Sequence, residues 1–229
     1  MLAIVPARGG SKRLPGKNIR DLAGKPLIFH TLDAFLGHSE IDRVVFTTDS
    51  GEYASLVTAF YGDTVDVQIR PQEFAKDTTK VVFEVERLLR QYEITASDFF
   101  LVGLPTAPLR NADHVAQLLE EFLGDGSARF SCCEYNFPIQ FGFELDNKKD
   151  WTPFIAESPM VTGNTRSQDL QKLYRPNGAI YLQNTGTFLE SMSFYTKAKG
   201  FVMDQRSSID IDSAEDFELA EFLMGASNV

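Results

Sequence analysis

The chain has 229 residues, 43% of them hydrophobic and 24% charged, which is room for one large domain at roughly 100 to 200 residues per domain and the composition of a globular protein, not a disordered one. Acidic residues outnumber basic ones by 32 to 22, a formal net charge of −10, and a field of that sign argues against general nucleic-acid binding. No apolar run approaches the roughly 18 residues of a membrane span. The only two cysteines, Cys132 and Cys133, are adjacent and too few for a disulfide scaffold, so a soluble, cytoplasmic protein is expected.

Residues 2–7 are apolar with no cationic leader before them, as in a first core strand and unlike a secretory signal. A loop rich in Gly and Lys follows. A helix is predicted over residues 26–36, where Leu27, Ile28, Leu32, Phe35 and Leu36 lie near one face. Next come a strand over 43–48, a helix over 51–60, an alternating strand over 65–69, and a helix over 77–92 carrying Val81, Val82, Val85, Leu88 and Leu89. Residues 99–104 form another strand candidate. Asn111 can cap the helix that carries Val115, Leu118, Leu119 and Phe122.

Parallel neighbours need crossover connections, so this alternation predicts an α/β fold: a Rossmann-like, mostly parallel sheet with helices on both faces. Ligands of such sheets bind beyond the carboxyl ends of the strands. Residues 138–172 are aromatic and interrupted by proline, without a helical period, and read as an arm inserted into a single domain spanning 1–229. Regular signals resume with a strand over 179–183, a short helix over 187–191, a strand over 200–203 and a final helix over 213–224.

Directly after the first strand, residues 8–25 hold six basic side chains (Arg8, Lys12, Arg13, Lys17, Arg20 and Lys25) against the single acid Asp21. Gly9, Gly10 and Gly16 allow close backbone approach with N–H groups turned inward, and the cations can neutralise several charges at once. A polyphosphate matches that combination; the alternative is a solvated basic loop. It is not a Walker loop, which would need Gly where Ser11 stands and Ser or Thr where Asn18 stands. Nor does it read G-x-G-x-x-G, which argues against a nicotinamide enzyme.

At the other end, Ser208-Ile209-Asp210-Ile211-Asp212 alternates apolar and acidic residues. In an extended chain both isoleucines point one way and both carboxylates the other. Two such carboxylates can share a hard cation such as Mg²⁺. The alternative is that Asp212 or Ser213 caps the last helix, with Glu215 completing a capping box from Asp212, although a cap leaves Asp210 unexplained. Together, cations for phosphates and carboxylates for a metal suit phosphoryl or nucleotidyl transfer.

These blocks resemble the acylneuraminate cytidylyltransferases, the CMP-sialic acid synthetases. The resemblance rests on residues 6–12 (Pro-Ala-Arg-Gly-Gly-Ser-Lys), 14–18 (Leu-Pro-Gly-Lys-Asn), Thr48-Asp49, Arg70-Pro71, 105–110 (Pro-Thr-Ala-Pro-Leu-Arg), 174–181 (Tyr-Arg-Pro-Asn-Gly-Ala-Ile-Tyr) and 208–212, in order over nearly the whole chain. It implies that the anomeric hydroxyl of a nine-carbon 2-keto sugar acid, a nonulosonic acid, attacks the α-phosphate of CTP and releases pyrophosphate.

By position, the resemblance implies that Arg8, Gly9, Gly10, Ser11, Lys12, Lys17 and Asn18 hold the triphosphate, with Lys17 and Arg8 stabilising charge at the reacting phosphate. Arg70 and the Asp77-Thr78-Thr79 turn would lie near the cytosine. Asp210 and Asp212 would hold Mg²⁺, with one of them, Asp212 for choice, assisting deprotonation of the attacking hydroxyl. Leu104, Pro105, Thr106, Arg166, Arg175, Asn177 and Tyr181 would line the sugar side, with Arg175 and Asn177 at either sugar or nucleotide. The resemblance further implies a homodimer whose arm, near residues 138–172, reaches the partner's site, and in which Phe194 and Tyr195 supply aromatic contacts across the interface; core packing is the other reading of that pair.

This chain departs from the family in places. Leu104 stands where members carry Gln, Ala107 where they carry Ser, Arg13 where Gly is common and Lys80 where Ser is common. Arg166-Ser167 replaces a typical Arg pair. A pocket that exchanges an amide for Leu leaves a sugar hydroxyl or carboxylate unsatisfied, at roughly 1 to 3 kcal/mol per buried group, so the expected sugar is legionaminic or pseudaminic acid and not N-acetylneuraminate. The alternatives are another sugar nucleotidyltransferase, such as an octulosonate-activating enzyme, and an inactive nucleotide-binding relative. His30 is expected to be structural, Cys132 and Cys133 to be small buried apolar residues in a strand, Asp49 to orient the basic loop or touch ligand, and Trp151 to anchor an interface.

Overall fold

In a computed structural model of the chain the described residues are 1–74, 79–164 and 166–225. Strand β1 (Leu2–Pro6) runs into the basic loop, and a ribbon of β2 (Asp21–Leu22) and β3 (Lys25–Pro26) leads to helix α1 (Leu27–Phe35). Then follow β4 (Arg43–Thr48), α2 (Gly51–Tyr61), β5 (Val65–Ile69), α3 (Val81–Gln91), β6 (Phe99–Val102), α4 (Ala112–Asp125) and β7 (Arg129–Glu134). Asn111 caps α4 as expected, and the His114 side chain completes the box.

The segment expected to be an arm contains a hairpin of β8 (Phe143–Leu145) and β9 (Trp151–Pro153), then one helical turn, α5 (Pro159–Thr162). Beyond it lie β10 (Tyr174–Asn184), α6 (Thr185–Ser191), β11 (Lys199–Val202) and α7 (Ala214–Gly225). Among the described residues no helix is long and apolar enough to cross a membrane.

Seven strands form one sheet in the order β11-β7-β10-β6-β1-β4-β5. The pairs β6–β1, β1–β4, β4–β5 and β7–β11 are parallel; β10 runs antiparallel between β6 and β7. The expected mostly parallel sheet is thus present. Period-two alternation sends Ala3 and Val5 to one face, against Ile28, Leu32 and Phe35 of α1 and Leu118 of α4. Leu2 and Ile4 face the other side with Val85, Leu88 and Leu89 of α3 and Phe188 of α6. Helices therefore cover both faces. Gly103, just past β6, lets α1 lie close, since a Cβ there would come within 2.5 Å of the Phe35 ring.

The predicted strand over 179–183 starts five residues earlier. Pro176, Asn177 and Gly178 look like strand breakers, yet the strand runs through them by a register shift against β7 between Pro176 and Tyr181, with Gly178 at φ +73°. The capping box also differs from expectation. Ser213, not Asp212, caps α7: Ser213 Oγ accepts from the Asp216 N–H at 3.2 Å, and Asp216 Oδ2 accepts from the Ser213 N–H at 2.8 Å. The shift by one residue leaves the Asp212 side chain for other partners.

Candidate active site

Four loops gather at the carboxyl ends of the parallel strands: residues 8–18 after β1, Asp49-Ser50 after β4, Arg70 after β5 and residues 103–106 after β6. The basic loop is tied down by short polar contacts. Gly9 donates its N–H to Asp49 Oδ1 at 2.8 Å, and a Cβ on Gly9 would lie 3.0 Å from Ser50 Cβ. Gly16 takes a left-handed conformation at φ +67° and starts the short turn Lys17–Ile19. Asn18 is buried; its amide donates to the Arg8 carbonyl at 3.0 Å, while its Oδ1 has no protein partner.

The far end of the chain meets this loop. Leu22, Leu27, Ile211, Phe217 and Ala220 form a small core of their own, with Leu14 of the loop and Ile209 packed against it. With both isoleucines turned inward, the acids that alternate with them turn outward. Lys17 Nζ donates to the Ile211 carbonyl at 2.6 Å and lies 3.3 Å from Asp212 Oδ1; Arg13 reaches Asp212 Oδ2 at 2.8 Å. The Ile211 N–H donates to the Thr106 carbonyl at 2.7 Å, so the acidic segment also rests on the loop after β6.

Asp210 opens onto the cleft, yet the protein around it disfavours its charge and raises its carboxyl above the usual range. Asp212 adds to that rise; a hydrogen bond from Thr106, with the Lys17 and Arg175 charges, opposes it. Asp210 in turn acts on Tyr181, whose hydroxyl is pushed up first by burial, then by Tyr195, with the two phenol oxygens 3.4 Å apart. Thr106, Arg175, Tyr181, Lys17 and both acids therefore share one neighbourhood.

At the opposite rim, Arg70 donates to the Thr47 carbonyl at 3.3 Å, and its Nε lies 3.9 Å from Glu84 Oε1. Burial lowers the Arg70 guanidinium, and the Arg8 charge adds to this against Glu84 and Asp49. Glu84 is fully buried on α3. It accepts two bonds from Arg87, at 2.8 and 2.7 Å, and one from the Thr47 hydroxyl. Sequence reasoning missed Glu84, although an acid three residues after Val81 and four before Leu88 lies on the apolar stripe of its helix.

Other expected site residues fall as follows. Ser11 and Lys12 lie in the loop, and Gly10 has open space where a Cβ would be. The Thr79 hydroxyl donates to the Glu73 carbonyl at 3.2 Å; Asp77 and Thr78 lie outside the described residues. Leu104 is half-buried, its N–H donating to the Gly178 carbonyl at 3.3 Å, and Pro105 is buried beside it. Asn177 is only 2% exposed. Its amide is spent on Ser208 Oγ at 2.9 Å and on the Ala179 N–H at 3.1 Å, which puts it behind the cleft wall instead of on it.

Phe194 stacks on Tyr181 at 4.8 Å and on Phe188 at 5.2 Å within the second core. Tyr195 remains 46% exposed. Arg166 sits exposed in the arm, its carbonyl closing a turn with the Asp169 N–H at 3.1 Å. His30 holds the Leu22 carbonyl at 2.9 Å, a structural contact as expected.

The assembled cleft sets cations at two depths and a pair of carboxylates beside Lys17. Among the described residues no group of three or more His, Cys, Asp or Glu is gathered for a metal. Two carboxylates suit an ion that draws its remaining ligands from substrate oxygens and water.

A family model described as Cytidylyltransferase matches residues 2–225. The chain belongs to the cytidylyltransferase family. Its relatives include the CMP-N,N'-diacetyllegionaminic acid synthase of Legionella pneumophila, 35% identical over 98% of this chain and 96% of that protein. The pseudaminic acid cytidylyltransferase of Campylobacter jejuni is 33% identical over 97% and 95%. The N-acylneuraminate cytidylyltransferase of Escherichia coli O18:K1:H7 is 31% identical over 96% of this chain, which spans about half of that longer protein, 51%.

Two solved structures share the fold of this cytidylyltransferase. The CMP:2-keto-3-deoxy-manno-octonic acid synthetase complexed with CTP superposes with TM-score 0.68 at 18% identity, over 99% of this chain and 98% of its own. The 4-diphosphocytidyl-2C-methyl-D-erythritol synthase gives 0.69 at 14%, over 97% of each. In this cytidylyltransferase the loop after β1 and the acids before α7 are the parts the cleft brings together.

Proposed function

We propose that this chain transfers the cytidylyl group of CTP to the anomeric hydroxyl of a nonulosonic acid, with Mg²⁺, releasing pyrophosphate. The observation that carries this reading is the meeting of Lys17 with the Asp210–Asp212 segment, at 2.6 Å to the Ile211 carbonyl and 3.3 Å to Asp212. Relatives named for legionaminic, pseudaminic and acylneuraminic acids, 35, 33 and 31% identical, support the sugar class.

Arg8, Lys12 and Lys17, with the N–H groups of Gly9, Gly10 and Ser11, receive the triphosphate, and Asn18 holds the loop in shape by its bond to the Arg8 carbonyl. Arg70 with Asp77, Thr78 and Thr79 takes the base end. Asp210 and Asp212 hold Mg²⁺, a hard ion that suits two carboxylates plus phosphate oxygens. When bound, the ion neutralises charge on the reacting phosphate. The hydroxyl oxygen forms a bond to the α-phosphorus, the bond to the bridging oxygen of the β-phosphate breaks, and the hydroxyl proton passes to a carboxylate of the pair. Lys17, anchored beside that pair, meets the charge that develops on the phosphate.

On the sugar side we place Leu104, Pro105, Thr106, Arg166, Arg175, Tyr181 and Tyr195, with Phe194 backing Tyr181 by stacking. The Leu104 side chain packs against Gly178, where an added Cβ would come within 3.3 Å of Leu104 Cδ1. An apolar wall of that kind favours legionaminic or pseudaminic acid over N-acetylneuraminate. The working unit is a homodimer: Phe143, Leu145, Trp151 and Phe154 of the hairpin region are exposed and are the surface assigned to the partner. Two free, buried thiols agree with a reducing cytoplasm.

Pyrophosphate release measured with CTP, Mg²⁺ and each of the three sugar acids tests the reading. Turnover of the legionaminic or pseudaminic substrate is expected. A clear preference for N-acetylneuraminate overturns the sugar assignment, and no release with any of them overturns the transferase.

A further inference from the structure

Arg110 is 1% exposed, the largest fully buried side chain among the described residues, and no carboxylate of those residues pairs with it. A buried guanidinium without an anion is costly to hold unless its donors are all directed at acceptors. Here they are. Nε donates to the Ala179 carbonyl at 3.2 Å; one terminal nitrogen donates to the Thr31 hydroxyl at 2.8 Å and the Leu104 carbonyl at 3.3 Å, and the other to the His30 carbonyl at 3.4 Å. The guanidinium also lies 5.4 Å from the centre of the Phe35 ring.

Two of those acceptors belong to the walls of the proposed site. Ala179 lies inside the register shift of β10, where the ladder to β7 is interrupted and side chains replace ladder partners: Ser131 Oγ accepts the Ile180 N–H at 2.8 Å, and Asn177 Oδ1 accepts the Ala179 N–H at 3.1 Å. The Asn177 amide then holds Ser208, two residues before Asp210. Leu104 precedes Pro105-Thr106, and Thr106 bonds both Asp210 and the Ile211 N–H. One side chain thus braces the acidic segment by two routes, one through Ser208 and one through Thr106. A bulge sustained beside a site is the usual way for a strand to re-aim the groups it carries.

We propose that Arg110 is a positioning residue: through the Leu104–Thr106 loop and the β10 bulge it fixes where the Asp210 carboxylate stands, and so sets metal affinity and turnover without touching substrate. This rests on the reaction proposed above. Arginine suits the task because its planar fork serves acceptors in four directions, whereas a lysine ammonium or an apolar side chain leaves main-chain carbonyls unpaired.

The test compares the full chain with Arg110→Met. Expected are a CTP KM within about threefold of wild type, because the basic loop is untouched, a kcat lower by roughly 10- to 100-fold, and a Mg²⁺ half-saturation raised by roughly tenfold. Faster amide exchange at Ile211, with β1 unchanged, is expected in the same variant and needs no turnover. Wild-type kcat, metal dependence and Ile211 protection in a folded Arg110→Met chain overturn the proposal. Should that variant fail to fold, Arg110→Lys decides: smaller losses of the same kind support the role, and wild-type behaviour overturns it. A wild-type chain that releases no pyrophosphate overturns the reaction instead, and Ile211 exchange then judges Arg110 alone.

Discussion

Lys17 works from a fixed position. Its ammonium is held by the Ile211 carbonyl and Asp212, and its side chain is largely shielded from solvent, so in the proposed reaction it needs no ordering before it meets a phosphate. Replacing it by Met keeps the stem and removes the charge; kcat/KM for CTP is expected to fall by roughly 100- to 1000-fold, measured by pyrophosphate release. Asp210 makes the opposite trade. Its carboxyl titrates higher in the folded chain than in the unfolded one, so the folded state keeps the proton longer and stability declines as pH rises through that interval. Asp210→Asn removes that penalty and the proposed metal ligand together. The expected result is an inactive protein with a melting temperature at pH 7 at or above wild type, by calorimetry, and a difference that shrinks as the pH is lowered toward ordinary carboxylate values. Glu84 behaves differently again. Glu84→Ala strands the buried Arg70 charge, at roughly 3 to 5 kcal/mol, and is expected to raise the CTP KM in whatever fraction remains folded, since Arg70 loses its brace.

At the scale of elements, sequence pattern performs unevenly, for physical reasons. Strand and helix periods of the first half depend on which side chains enter a core, and those are visible: residues 43–48 and 65–69 are the strands expected. The strand Tyr174–Asn184 was only half legible. Its first half is a bulge kept extended by distant partners, Arg110 and Ser131, which no local window contains. The alternation of Ile209 and Ile211 with the acids was fully legible because a period of two needs no partner to be recognised, and the structure puts Lys17 against those acids. Asp212 and Ser213 are both good caps and local sequence left the two open; only the box, expected between Asp212 and Glu215, was off by one residue, and the Ser213 box with Asp216 leaves Asp212 for Lys17 and Arg13. Ser213→Ala is expected to cost about 1 kcal/mol of stability, read from the urea midpoint. A loss near zero would show that Asp216 alone holds the start of α7.

Across the whole molecule, the net charge of −10 contrasts with a cleft whose entrance is cationic. If residues 8–18 receive CTP as proposed, its negative charges are repelled by most of the surface and attracted there, so the CTP KM is expected to rise with ionic strength and kcat to change little; steady-state kinetics across a salt series measures both. The hairpin region exposes Phe143, Leu145, Trp151 and Phe154, with the Phe143 and Trp151 rings edge to face at 6.2 Å, and apolar side chains exposed together suit a partner's surface. A Trp151→Asp, Phe154→Asp chain is expected to sediment as a monomer and to lose sugar turnover before CTP binding. What sequence could not convey at this scale is the strand order, because β10 enters the sheet between two strands made earlier and nothing local marks that slot.

The contact between Lys17 and Asp212 spans 195 positions. The same packing event that brings Ile211 and Phe217 against Leu14, Leu22 and Leu27 seats Lys17 on the Ile211 carbonyl, so the basic and acidic halves of the cleft are completed together and a chain that loses α7 is expected to lose the shape of both.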